Sequence, residues 1–139
     1  MLKDALGSYR GSLAELDRII DEDPNNPEVY YDRANVRSGR GDIEGAIDDY
    51  SKAIELGLRL RERFLAYGNR GIARAALEDN QGALEDFTVI IEASPKNRGI
   101  LRTALYNRAM LREKTGDIEG AAMDYQQRSG IITKSKTGE

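Results

Sequence analysis

The string GDIEGA occurs twice in this chain, at Gly41–Ala46 and at Gly116–Ala121, and EDNQGA at Glu78–Ala83 stands between them in the same register. Extended backwards, the comparison adds GSYRGS at Gly7–Ser12. The second glycines of the four segments are Gly11, Gly45, Gly82 and Gly120, spaced by 34, 37 and 38 residues. A period of that length marks one supersecondary unit that cannot bury its own apolar face and does so by stacking on its neighbours. No other property constrains the chain so strongly, because the fold of one unit sets the fold of the whole.

Each second glycine opens an amphipathic run: GSLAELDRII, GAIDDYSKAI, GALEDFTVII and GAAMDYQQRS. In the second of these, Ala46, Ile47, Tyr50, Ala53 and Ile54 fall at i, i+1, i+4, i+7 and i+8, which is one face of a helix. Upstream lie YYDRANVRS, AYGNRGIARAA and ALYNRAMLREK. In each, a small residue (Ala34, Gly71, Ala109) follows an arginine and comes four residues after Tyr30, Tyr67 or Leu105. These segments read as first helices whose small residue lets a partner helix approach closely. Asp42 and Asp117 stand where an N-cap belongs, and Pro27 suits a first helical turn capped by Asn26. The unit is helix, short turn, helix.

With 139 residues the chain is about one domain by length. A net charge of -3 provides no basic field for nucleic acid or for an anionic membrane surface, so neither is an expected partner. The sequence contains no cysteine and no histidine, which removes thiol nucleophiles, imidazole bases, disulfides and the usual zinc ligands. The remaining acids are spread over helix surfaces, and the glycines recur with the repeat rather than forming a phosphate loop. No catalysis, cofactor or metal is expected. The segment DEDPNNPEVYYD echoes a calcium loop through Asp21, Asp23, Asn25 and Asp32, but it has Asn26 where glycine is needed and ends in Asp rather than a bidentate Glu. The absence of cysteine, of a signal-peptide core and of a long apolar run points to a cytoplasmic setting.

The helix pairs resemble the tetratricopeptide repeat. Tyr67, Gly71, Ala83, Phe87 and Pro95 follow the family pattern in the middle copy. Tyr30, Ala34, Ala46, Tyr50 and Ala53 match before it, and Ala109, Ala121 and Tyr125 after it. Ser12, Leu16, Ile19 and Pro24 match only the second helix of a leading half-copy. The resemblance implies an all-α fold, a right-handed superhelical solenoid of antiparallel helix pairs with about three and a half repeats. The expected divisions are a half repeat at 1–26 and repeats at 27–63, 64–101 and 102–129, with 130–139 a disordered tail. The longer spacings arise from three or four extra residues, about one helical turn, ahead of the second and third first helices.

One departure from the family recurs in every unit. Arginine replaces the expected Leu (Arg33, Arg70, Arg108) and the expected Tyr (Arg37, Arg74, Arg112), while an acid precedes each second-helix aromatic (Asp49, Asp86, Asp124). We expect structural ion pairs Arg33–Asp49, Arg70–Asp86 and Arg108–Asp124 rather than an anion-binding ladder, since the acids leave little free charge. The basic inserts carry Arg59, Arg61, Arg63, Lys96, Arg98 and Arg102, expected to pair with Glu55, Glu62 and Glu92 at the surface.

The resemblance also implies function: first helices of this family line a concave groove that receives a peptide or protein segment. Carried over, the groove positions include Tyr31, Asp32, Asn35, Asn69, Ile72, Tyr106, Asn107 and Met110. Asn35 and Asn69 coincide with the paired asparagines of the carboxylate clamp, but Tyr31, Thr103 and Asn107 replace its cations. A groove of amide and aromatic contacts is therefore expected, in place of one that grips an acidic terminus. The expected partner is a protein or peptide. Two alternatives remain: a self-associating adaptor that uses exposed solenoid ends, and a regulatory domain of a larger enzyme.

Overall fold

The computed structural model describes residues 12–131, so Gly7, Gly11 and residues 132–139 of the expected tail lie outside the described residues. Among the described residues seven helices follow one another: α1 (Leu13–Glu22), α2 (Pro27–Gly39), α3 (Ile43–Leu56), α4 (Leu60–Ala76), α5 (Asn80–Ala93), α6 (Arg98–Thr115) and α7 (Ile118–Ser129). The pairs α2–α3, α4–α5 and α6–α7 have the most extensive contacts, α3 then packs on α4 and α5 on α6, and α1 covers α2. Helices α4 and α6 also touch, so successive first helices share one inner face.

The repeated hexapeptide has a local physical cause. Gly41 and Gly116 adopt φ of 88° and 96°, the left-handed turn that ends a first helix. Asp42, Asp79 and Asp117 then cap the second helices, each accepting a hydrogen bond from the amide of Gly45, Gly82 or Gly120. A Cβ on those three glycines would stand 2.2–2.3 Å from the capping carboxylate, so any side chain there would have to displace the cap. The following Ala46, Ala83 and Ala121 are buried at the helix crossing. In the middle unit Glu78 takes the left-handed position at φ 65° without a glycine.

The extra residues in the longer spacings extend the first helices: α2 has 13 residues, α4 has 17 and α6 has 18. The divisions expected at 63/64 and 101/102 consequently fall inside α4 and α6, and the turns lie earlier, because the inserts continued the helix rather than lengthening a loop. Apolar burial runs along the stack, from Leu16, Tyr30, Ala34 and Tyr50 through Phe64, Ile90 and Ala104 to Phe87 and Leu111. Gly71 is the closest approach in it: a Cβ there would lie 2.7 Å from the Phe87 ring.

An arginine–aspartate cage crosses every pair. Arg33 donates through Nε and Nη2 to the two oxygens of Asp49, both at 2.8 Å. Arg70 holds Asp86 at 3.0 and 2.7 Å, and Arg108 holds Asp124 at 2.9 and 2.7 Å. The second arginine of each first helix grips the same carboxylate: Arg37 at 3.0 Å, Arg74 at 3.1 Å and Arg112 at 3.0 Å. Its Nε faces the capping Asp42, Asp79 or Asp117 at 3.6–3.8 Å. The remaining arm of the first arginine reaches back into the preceding second helix, to Asp17, Ser51 and Thr88 at 2.7, 2.9 and 3.2 Å. One guanidinium thus joins the helices of its own unit and fastens that unit to its predecessor.

The basic inserts are placed differently from expectation. Arg59 faces Glu28 at 3.8 Å, and Glu55 pairs with Lys52. Arg102 donates to the carbonyls of Arg128 and Ile131, where α7 ends and a cation complements the helix dipole. The antiparallel pairing explains this, since it brings the start of α6 beside the end of α7.

Asp86 is 2% exposed and bound by two arginines, so removing its charge leaves two guanidinium groups facing a buried site. Asp86→Asn is expected to lose about 3–5 kcal/mol in urea unfolding, and Lys114→Ala, which breaks the exposed bridge to Glu78, less than about 1 kcal/mol.

Candidate functional site

The inner face formed by α2, α4 and α6 collects the expected groove residues, though not into one site. In the first unit Tyr31 lies half-buried with its ring edge-on to Tyr50 at 5.9 Å. Asn35 donates to the Tyr31 oxygen and accepts from the Tyr50 hydroxyl, and Asn69 in turn donates to the Tyr50 oxygen. The two asparagines are therefore members of a chain, Tyr31–Asn35–Tyr50–Asn69, that ties α2 and α3 to α4. Tyr50 projects between the first helices, and its buried hydroxyl takes both amides as partners, while Asn69 also lines the groove. Asp32 is buried at 2% exposure and does not reach the groove surface.

In the middle of the face, α4, α5 and α6 enclose a hollow of about 330 Å³. Asn69, Ile72 and Asn107 line it, with Phe87 and Ile90 from α5 at its base. Ile72 is 51% exposed, a large apolar side chain facing solvent beside amide groups. The arrangement offers apolar surface for a side chain together with hydrogen-bonding groups for a main chain.

Tyr106 and Met110 lie further along α6, outside the lining of that hollow. Tyr106 meets Tyr125 edge-on at 6.3 Å and carries the Arg128 guanidinium 5.1 Å from its ring centroid. Arg128 occupies the register of Ala53 and Ile90 and covers an aromatic ring there. The expected paired residues Arg33 with Asp49, Arg70 with Asp86 and Arg108 with Asp124 sit behind the inner face and hold its helices at fixed separations. Asp17, Ser51 and Thr88 were missed from sequence, although each directly follows the large residue of its second helix, Leu16, Tyr50 or Phe87. Among the described residues no group of three or more acids is placed to hold a metal, and no helix is long and apolar enough to cross a membrane.

Burial pushes the Tyr50 phenol well above its ordinary range, with the neighbouring Tyr31 adding to the effect and the Asn69 bond opposing it. The folded chain keeps a proton that the unfolded chain sheds near pH 10, so this contribution to stability is complete below about pH 10 and falls as pH rises above it. Urea midpoints measured from pH 8 to 11 are expected to drop above about pH 10, and Tyr50→Phe to flatten that drop.

Comparison with known proteins agrees with this architecture. A tetratricopeptide repeat family model matches residues 15–48, which span α1, α2 and the first turns of α3. Tetratricopeptide repeat protein 13 of Homo sapiens is 35% identical over 106 residues, 73% of this chain and 12% of that protein. DnaJ homolog subfamily C member 3 of Bos taurus is 29% identical over 91 residues, 66% of this chain and 18% of that protein. The chain thus spans less than a fifth of the length of either relative. Tetratricopeptide repeat protein 36 of Danio rerio is 30% identical over 132 residues, 91% of this chain and 69% of its own length. With stacked helix pairs in the family register and a relative matched over most of both chains, this chain belongs to the tetratricopeptide repeat family, a family of protein-interaction modules.

Proposed function

We propose that this chain is a non-catalytic adaptor whose inner face binds a peptide or protein segment in the hollow between α4 and α6. One observation carries the reading: exposed Ile72 stands beside Asn69 and Asn107 around a hollow of about 330 Å³ in the inner face. A surface that shows water an apolar side chain flanked by amides suits a guest that buries a side chain and satisfies its main chain at once. The lining residues carry no charge, which argues against an acidic terminus gripped by cations at this point. The composition, without cysteine, suits a reducing cytoplasmic setting.

A second reading, self-association through the end of the stack, is supported by α7. Its outer surface exposes Ile118 at 62% and Met123 at 69%, and Met123 stands where the other second helices carry Asp48 and Glu85. An apolar side chain in an acidic register suits contact with another helix.

Peptides selected from a random library are expected to lose about tenfold or more in affinity on Ile72→Glu, about 1.4 kcal/mol, with an unchanged unfolding midpoint. Unchanged affinity would place their site elsewhere. For the second reading, sedimentation velocity over a hundredfold range of concentration is expected to show an association that Met123→Glu abolishes; a monomer throughout would remove it.

A further inference from the structure

The three units are not equivalent at one position of the inner face. Tyr31 in the first and Tyr106 in the third each set a ring edge-on to the tyrosine of the second helix, Tyr50 at 5.9 Å and 60°, Tyr125 at 6.3 Å and 62°. The middle unit keeps the second-helix ring as Phe87, but its first helix has Gly68 in the register of Tyr31 and Tyr106. A glycine inside a helix lowers stability, and nothing in the packing requires this one. A Cβ on Gly68 would meet Ile90 Cδ1 alone, at 3.6 Å, an ordinary contact. The missing ring coincides with the hollow of about 330 Å³, which has Gly68 in its lining and Phe87 at its base. A cavity of roughly 150 Å³ is enough to hold a benzene ring.

We propose that this hollow receives a phenylalanine side chain from an acidic partner segment, the guest ring taking the place that Tyr31 and Tyr106 fill in the neighbouring units. The proposal rests on the groove reading above and narrows it to a sequence preference. Phenylalanine rather than tyrosine follows from the base of the hollow: Phe87 and Ile90 lie there and give a phenol hydroxyl no hydrogen-bond partner, whereas the Tyr31 hydroxyl receives a hydrogen bond from Asn35. The acidic character follows from the recess beside the hollow. A second recess of about 530 Å³ adjoins it, sharing Phe64, Asn97 and Ile100, with Arg61 and Lys96 in its lining. Both cations are exposed and neither forms an ion pair among the described residues, so a carboxylate one or two residues from the ring meets unmatched positive charge.

The test uses Gly68→Tyr, which supplies the ring from within, and Gly68→Ala, which leaves the hollow open. Peptides are selected on the unmodified chain from a random library, and N-acetyl-phenylalaninamide, N-acetyl-tyrosinamide and N-acetyl-leucinamide are titrated while the Ile72, Ile90 and Ile100 methyl resonances are followed. Enrichment of phenylalanine flanked by Asp or Glu is expected. So is a loss of about tenfold or more on Gly68→Tyr but not on Gly68→Ala, at unchanged helical circular dichroism, and a similar loss on Arg61→Glu with Lys96→Glu. The phenylalanine amide is expected to shift those methyls at concentrations where the other two do not. Groove-bound peptides that lack an aromatic residue, or that ignore Gly68→Tyr, overturn the proposal and leave the groove reading standing. No selected peptide and no methyl shift overturn both.

Discussion

Each helix pair turns on a buried carboxylate held by two arginines. Asp49, Asp86 and Asp124 are nearly inaccessible, and a lone carboxylate in such a place would be strongly destabilising. The first arginine neutralises it with a two-point contact whose planar geometry fixes the rotation of one helix against the other. The second arginine adds a third bond and faces the capping aspartate, so the turn between the helices is tied to the same cluster. Where this family pattern expects apolar packing, the chain uses a directional polar contact, which tolerates far less variation in helix angle.

The same contact governs the stacking of units. The free arm of Arg33, Arg70 or Arg108 bonds to Asp17, Ser51 or Thr88 of the preceding second helix, so orientation within a unit and between units depends on one side chain. Burial of apolar side chains such as Tyr50, Phe87, Ile90 and Leu16 drives the helices together, but apolar contact is non-directional. The guanidinium bonds select one arrangement among those that burial alone would allow. The same bonds recur in each unit, so first-helix side chains of equal register meet equivalent neighbours.

A regular face makes its irregularities informative. The tyrosine–asparagine chain closes the inner face of the first unit, and the Tyr106, Tyr125 and Arg128 stack covers that of the third. The middle unit has neither: its amide position is Ile72, its aromatic position is Gly68, and the face opens into a hollow between α4 and α6. The proposed binding site is thus a gap in a pattern, at the middle unit.

Much of this was legible before the structure. The period of 34 to 38 residues, the apolar stripe through Ala46 and Tyr50, and the Asp and Gly of the turns specify stacked helix pairs by local chemistry alone. Matching arginines and acids in every unit indicated the pairs, because equal registers in equal helices must meet in the same way. The sequence alone did not show that Asn35 is held by two tyrosines, that Asp32 is buried, or that Arg102 binds the end of α7. Those contacts join residues on different helices, and their geometry depends on crossing angles and side-chain rotamers that no local pattern encodes. By itself, then, the sequence determined the unit, its repetition and the polar contact that orients it, since these follow from periodicity and capping. Only the tertiary structure decided which inner residues are spent on each other and which still face solvent, because that depends on what the neighbouring helix places across the gap.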